Sequence, residues 1–257
     1  MEMPGPMARP PLRRRSITDD AAMTIERYPR AARRFHTAVY ILTLLLLASG
    51  AWLLTGREGD PTPIARVTGV PDAQLHVWLG WALLVVALLP VVLSMRAVIG
   101  FVRETMRYDR GDVGWLLRWP AGVLSGRFRR HEGHFDPGQR LANIAIVGLL
   151  ALLILSGVGL VFVHVGPFFA LLATVHRVAT FAFTIVIVGH ILIAIGILPG
   201  YRGVWRSMHL GGKLRVETAR RLWPAWTERR VHDVLASEVS RAARRYQEES
   251  AEAVPDE

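Results

Sequence analysis

Residues 166–198 read GPFFALLATVHRVATFAFTIVIVGHILIAIGIL, a stretch with a single charged side chain, Arg177, and two histidines, His176 and His190. A hydrocarbon core about 30 Å thick needs about 20 apolar residues of helix, so this stretch is long enough to span a membrane. Helix is the fold open to it, because unpaired backbone groups cannot face lipid. Gly166-Pro167 is a breaker pair, where one helix can end and the next can start with proline in its first turn. Fourteen residues separate the two histidines, about 21 Å of rise and nearly four whole turns. Both imidazoles therefore lie on one helix face, at two depths.

Three further stretches carry no Asp, Glu, Lys or Arg: Phe35 to Gly56, Ala73 to Met95 and Leu141 to His176. The chain as a whole is 51% hydrophobic yet 20% charged, so its polar residues must be segregated from these runs. Four transmembrane helices are predicted near 35–56, 74–99, 141–164 and 167–198. The fold class expected is all-α, an integral membrane four-helix bundle.

The formal net charge is +10, from 31 Lys+Arg and 21 Asp+Glu. Residues 1–35 hold eight Arg, the 100–140 loop eight more, and the segment beyond 199 eleven Lys+Arg, whereas the 57–75 connection holds only Arg57 and Arg66. By the positive-inside rule both termini and the central loop are cytoplasmic, in a bacterial inner membrane. The same distribution removes the need for a nucleic-acid partner and leaves membrane lipid as the surrounding phase. Residues 1–30 are expected to be a disordered basic arm. Residues 31–200 form the membrane domain, including a Trp-bearing cytoplasmic loop at 100–140. Residues 201–257 form an interfacial tail that turns acidic and loose at its end. The basic start followed by an apolar run imitates a signal peptide, but the run is longer than a usual h-region and lacks a small-residue cleavage site, so it is read as a retained helix. No internal repeat of fixed period is visible.

The chain has no cysteine, which excludes thiolate-held iron–sulfur clusters, Cys-x-x-Cys-His haem attachment and disulfides. Any redox work needs a non-covalent cofactor. Ionisable groups at membrane depth are costly and mark function, and four of the nine histidines qualify: His36, His76, His176 and His190. In the expected topology His36 shares the depth of His190, and His76 that of His176. Two His–His pairs stacked across the bilayer could each supply both axial ligands of a haem b, since helical bundles build such sites from facing helices. His164 is too near the outer end and is expected to be a bystander. His131, His134, His209 and His232 fall in cytoplasmic segments and are expected to be solvated or interfacial. Arg177 could pair with a haem propionate or snorkel to the outer interface.

These residues resemble the gamma, or cytochrome b, subunit of respiratory formate dehydrogenase within the dihaem membrane cytochrome b family, over roughly residues 30–228. Arg33-Arg34-Phe35-His36 looks like the family's first ligand segment, and Leu75-His76 with Gly80 like the second. His176 and His190 stand at the family's fourteen-residue separation. Gly133-His134-Phe135-Asp136-Pro137-Gly138-Gln139-Arg140 is similar to its aromatic–Asn–x–Gly–Gln–basic motif before the third helix. Gly212-Lys213-Leu214 with Ala219, Pro224 and Trp226 is similar to its C-terminal signature.

The resemblance implies two haem b groups, an outer one on His76 and His176 and an inner one on His36 and His190. It implies a quinone site at Phe135, Asp136, Gly138 and Gln139, beside His190. Its partners would be a catalytic molybdenum or tungsten formate dehydrogenase subunit and an iron–sulfur beta subunit. Asp136-Pro137 also reads as a helix N-cap with proline in the first turn, and both roles can hold. The chain departs from the family at Asp136, where Asn is usual, at Thr37, where an aromatic is frequent, and at Leu222-Trp223, which replace a His-His pair. The alternatives are a dihaem subunit serving another oxidoreductase, such as a hydrogenase or a sulfur-compound reductase, and a haem-free transporter using its histidines as a proton relay.

Overall fold

The computed structural model describes residues 23–55 and 60–252. The chain opens on a short strand, β1 (Thr24–Glu26), and passes into α1 (Arg30–Leu54). A brief α2 (Pro63–Thr68) leads to α3 (Asp72–Leu93), α4 (Met95–Thr105) and α5 (Asp112–Ser125). The corner pair α6 (Pro137–Phe162) and α7 (Gly166–Ala194) follows. Three short 3-10 turns then lead to β2 (Lys213–Arg215), α8 (Val216–Leu222) and α9 (Pro224–Glu252).

Four of these helices, α1, α3, α6 and α7, are long and apolar enough to cross a membrane. With four crossings, the segments before α1 and after α7 share one end of the bundle with the α4–α5 connection. This is the loop-rich end, and the opposite one, carrying α2 and the turn before Gly166, is the corner end. Large apolar side chains on the spans point outward, Val92, Leu155 and Ile185 each being more than two-thirds exposed, as lipid-facing residues are. The chain is a multi-pass membrane protein.

The corner at Gly166-Pro167 forms as expected. Val163 leaves helical backbone (φ −112, ψ 117), and α7 starts with Pro167 in its first turn. The second span is shorter than the expected 74–99. Pro90 lacks the N–H that would bond the Val86 carbonyl, and at Ser94 (φ −156, ψ 66) the backbone turns away into α4. The first span closes at Leu54, and residues 56–59 lie outside the described residues.

The all-α expectation needs one correction, since β1 pairs antiparallel with β2, Ile25 opposite Leu214. For the same reason the arm expected to be loose up to residue 30 is part of the fold from residue 23 onward, while residues 1–22 lie outside the described residues. At the other end α9 continues to Glu252, and residues 253–257 lie outside the described residues.

A compact apolar core lies beneath the bundle at the loop-rich end. It joins Ile25, Val123, Tyr201, Leu214, Val216, Ala219, Leu222 and Trp223 from five segments of the chain. Burying these side chains contributes about 25 cal/mol per Å² removed from water, and it locks the tail and the N-terminal strand onto the α5 loop. That platform closes one end of the bundle and frames the site.

Candidate functional site

Helix α7 contributes one histidine to each of two facing pairs. His190 meets His36 of α1 with ring centres 6.3 Å apart, and His176 meets His76 of α3 with ring centres 6.4 Å apart. All four are half-buried. The fourteen-residue spacing on one continuous helix sets the two levels about 21 Å apart.

The pair near the corner end is held by hydroxyls. Ser49 Oγ lies 2.8 Å from His76 Nδ1, and Ser156 Oγ lies 2.9 Å from His176 Nδ1. Each serine also donates to its own helix, Ser49 to the Leu46 carbonyl at 3.2 Å and Ser156 to the Leu152 carbonyl at 2.7 Å. A hydroxyl whose hydrogen is so used would accept from the imidazole Nδ1–H and leave the lone pair on Nε2. The residues after the serines are Gly50 and Gly157, and a Cβ at either would sit 3.3 Å from the Cε1 of its histidine. A cavity of about 510 Å³ opens beside His176, lined by Leu160, Phe169, Thr174 and Arg177 among others.

The pair near the loop-rich end borders a second cavity, of about 180 Å³. His36, His190, Asp136, Gly138 and Gln139 all line it, together with Tyr28, Tyr201 and His209. His36 Nδ1 is buried with no hydrogen-bond partner, and so is Gln139 Oε1. Gln139 Nε2 donates to the Tyr28 hydroxyl at 2.9 Å. Asp136 caps α6 by accepting the Gln139 N–H at 2.8 Å with Pro137 in the first turn, as its sequence context predicted. A Cβ on Gly138 would approach the Trp115 ring to 3.0 Å, so this position keeps α6 close against α5.

Phe135 differs from the other three quinone candidates. Its ring turns away from the cavity lining onto Phe101 (5.8 Å) and His134 (5.0 Å), which makes it a packing residue of the α4 side. Two of the histidines expected to be solvated are not. His131 is buried with Nε2 2.9 Å from the Leu222 carbonyl, and His134 accepts at Nδ1 from Arg27 at 2.9 Å. His209, in the cavity lining, meets Tyr40 edge-on at 6.2 Å, and Tyr40 in turn lies 5.6 Å from His36. His164 and His232 are exposed, as expected.

Electrostatics around this cavity follow from burial. Desolvation raises the Asp136 pKa, against the Gln139 N–H and the charges of His131, Arg27 and Arg140. Burial, with Arg27 and Arg229 nearby, lowers His134 to about 3. Arg27 is buried between Trp223 (4.2 Å) and Trp226 (4.4 Å), and burial lowers its pKa too. Burial also pushes the Tyr201 phenol up, and its oxygen accepts from Trp119 Nε1 at 2.9 Å.

The family model of the prokaryotic cytochromes b561 matches residues 27–211, more than half of the chain and all four spans. The chain belongs to that family. No curated protein gives a significant match. As a membrane cytochrome b of this family it binds haem b, and the donor set fits that group. In each pair two imidazoles from different helices face one another with ring centres 6.3 and 6.4 Å apart, so His36 with His190 and His76 with His176 are the residues that would hold haem in the cytochrome. The cavity beside each level points the same way.

Proposed function

We propose that the chain is the membrane-anchoring dihaem cytochrome b subunit of a formate dehydrogenase, carrying electrons from a periplasmic iron–sulfur subunit across the membrane to quinone. The observation that carries this reading is the presence of two imidazole pairs that share one helix, α7, one of them bordering the cavity lined by Asp136, Gly138 and Gln139. His76 and His176 would hold one haem b, and His36 and His190 the other. Bound there, the haems would supply a one-electron relay.

The remaining roles belong to the protein. The basic residues of the 100–140 loop and the tail set the loop-rich end on the cytoplasmic side. The corner end then faces the iron–sulfur beta subunit, which links to the catalytic molybdenum or tungsten subunit. Electrons moving toward the cytoplasmic side oppose the membrane potential and store about 2.3 kcal/mol per charge per 100 mV. In the cavity, burial favours the protonated carboxyl of Asp136, a proton source for reduced quinone. The unpartnered Gln139 Oε1 is an acceptor for a quinol hydroxyl. With no cysteine to hold a cluster, the chain acts on formate only through its partners.

A hydrogenase donor is the second reading, because the same paired histidines would serve either electron source. Both readings are tested on the complex purified from membranes. Two haem b per chain, reduced by formate and reoxidised by a water-soluble quinone, is the expected result. Reduction by hydrogen and not by formate selects the second reading. One haem per chain, or no b-type absorption, refutes both.

A further inference from the structure

We infer that Ser49 and Ser156 are positioning residues of the His76–His176 pair: their hydroxyls hold both imidazoles as Nδ1–H tautomers, aim Nε2 at the iron and lower the reduction potential of the haem at that level. The inference rests on the dihaem reading above.

Serine in a helix usually returns its hydroxyl to its own backbone and does nothing more. Here each hydroxyl does that and also faces a histidine on the neighbouring helix, at 2.8 and 2.9 Å. Ser156 is only 3% exposed, so it is protein and not bulk water that satisfies the His176 Nδ1–H. The glycine after each serine brings the helix backbone against the imidazole edge, which restricts ring rotation. The arrangement occurs twice, α1 serving α3 and α6 serving α7, so the two ligands at this level receive the same treatment from opposite sides.

A hydrogen bond accepted from Nδ1–H makes the imidazole a more basic ligand and stabilises oxidised over reduced iron. The other level lacks this device on at least one side, because His36 Nδ1 is buried without a partner. The asymmetry biases electrons from the His76–His176 level toward the His36–His190 level and the cavity there.

The test is a potentiometric titration of the purified complex carrying S49A, S156A, both together, and the hydroxyl-retaining S49T and S156T, with H76A assigning the component. Each alanine is expected to raise the midpoint of that one component, shifting its reduced-to-oxidised ratio at fixed potential by about two- to fivefold, the scale of one hydrogen bond. The double variant adds the two shifts and the other haem does not move. Loss of that haem in the alanine variants with retention at the wild-type midpoint in the threonine variants also supports the inference. Unchanged midpoints with full haem content overturn it, as does equal haem loss in alanine and threonine variants. A wild-type complex with one haem refutes the dihaem reading itself, whereas two haems with unmoved midpoints refute only the role of the serines.

Discussion

Arg140 is the strut that holds the cavity's entrance helix to the α5 loop, and replacing it by methionine gives a large, calculable loss. Its side chain is 4% exposed and its guanidinium serves five acceptor contacts. Nη1 donates to Asp112 Oδ2 at 2.9 Å and to the Arg107 carbonyl at 2.7 Å, and Nε donates to the Phe135 carbonyl at 3.2 Å. Nη2 reaches Asp109 at 3.2 Å and Asp112 Oδ1 at 3.4 Å. Arg140→Met leaves the buried Asp112 carboxylate with the Asp109 N–H at 2.9 Å and no cation. Breaking a buried pair from one side costs about 3–5 kcal/mol, because the surviving charge is uncompensated. Asp112→Asn in the same chain removes that charge and should recover part of the loss, so the two changes are strongly non-additive. Denaturation followed by SDS titration in detergent measures both. Arg140 lies one turn beyond Asp136, so the single variant should also weaken quinone-analogue binding. A loss below about 1 kcal/mol for Arg140→Met, or a double variant as costly as the two singles added, would refute the reasoning.

Two further outcomes concern protonation. Asp136→Asn keeps the cap for the Gln139 N–H and removes a carboxyl whose pKa is raised by burial. A raised carboxyl stabilises the fold below its unfolded pKa and loses that contribution as pH rises through the folded value, so the variant should gain on wild type with increasing pH. Thermal denaturation between pH 4 and 8 reads this directly, and a variant losing ground as pH rises would contradict it. His134 runs the other way. Its folded pKa is lowered to about 3 from 6.5, so its contribution is complete above 6.5 and is lost as pH falls toward 3. His134→Gln, which retains an acceptor for Arg27, should flatten the stability profile over that interval, and an unchanged acid limb would count against it.

The features that could be read from the chain are those with local signals. Charge-free runs located the four spans, Gly166-Pro167 placed the corner, and fourteen-residue spacing set His176 and His190 on one face. Asp136-Pro137 announced its cap because both residues act within one turn. What escaped reading depends on distant parts of the chain. The strand at Thr24–Glu26 forms only because Lys213–Arg215 lies beside it. His131 is buried because α8 supplies the Leu222 carbonyl, and nothing near residue 131 encodes that. The break at Ser94 falls inside the expected 74–99 span, where Pro90, Ser94 and Arg96 were the local signs. Ser49-Gly50 and Ser156-Gly157 form a matched pair, but Ser-Gly also occurs at Ser125-Gly126, and the dipeptide has no meaning until the helices bring it against a histidine. Phe135 belongs to a motif whose neighbours line the cavity, and its own ring packs on Phe101 and His134 from other parts of the fold and its own turn.

Haem content and spectra of four single variants, H36A, H76A, H176A and H190A, test the central claim most directly. Two independent pairs predict that H36A and H190A lose one and the same b component, that H76A and H176A lose the other, and that every variant keeps one haem per chain. If H36A and H76A were to lose the same component, or a single variant were to keep both, the pairing across α1, α3 and α7 would be wrong.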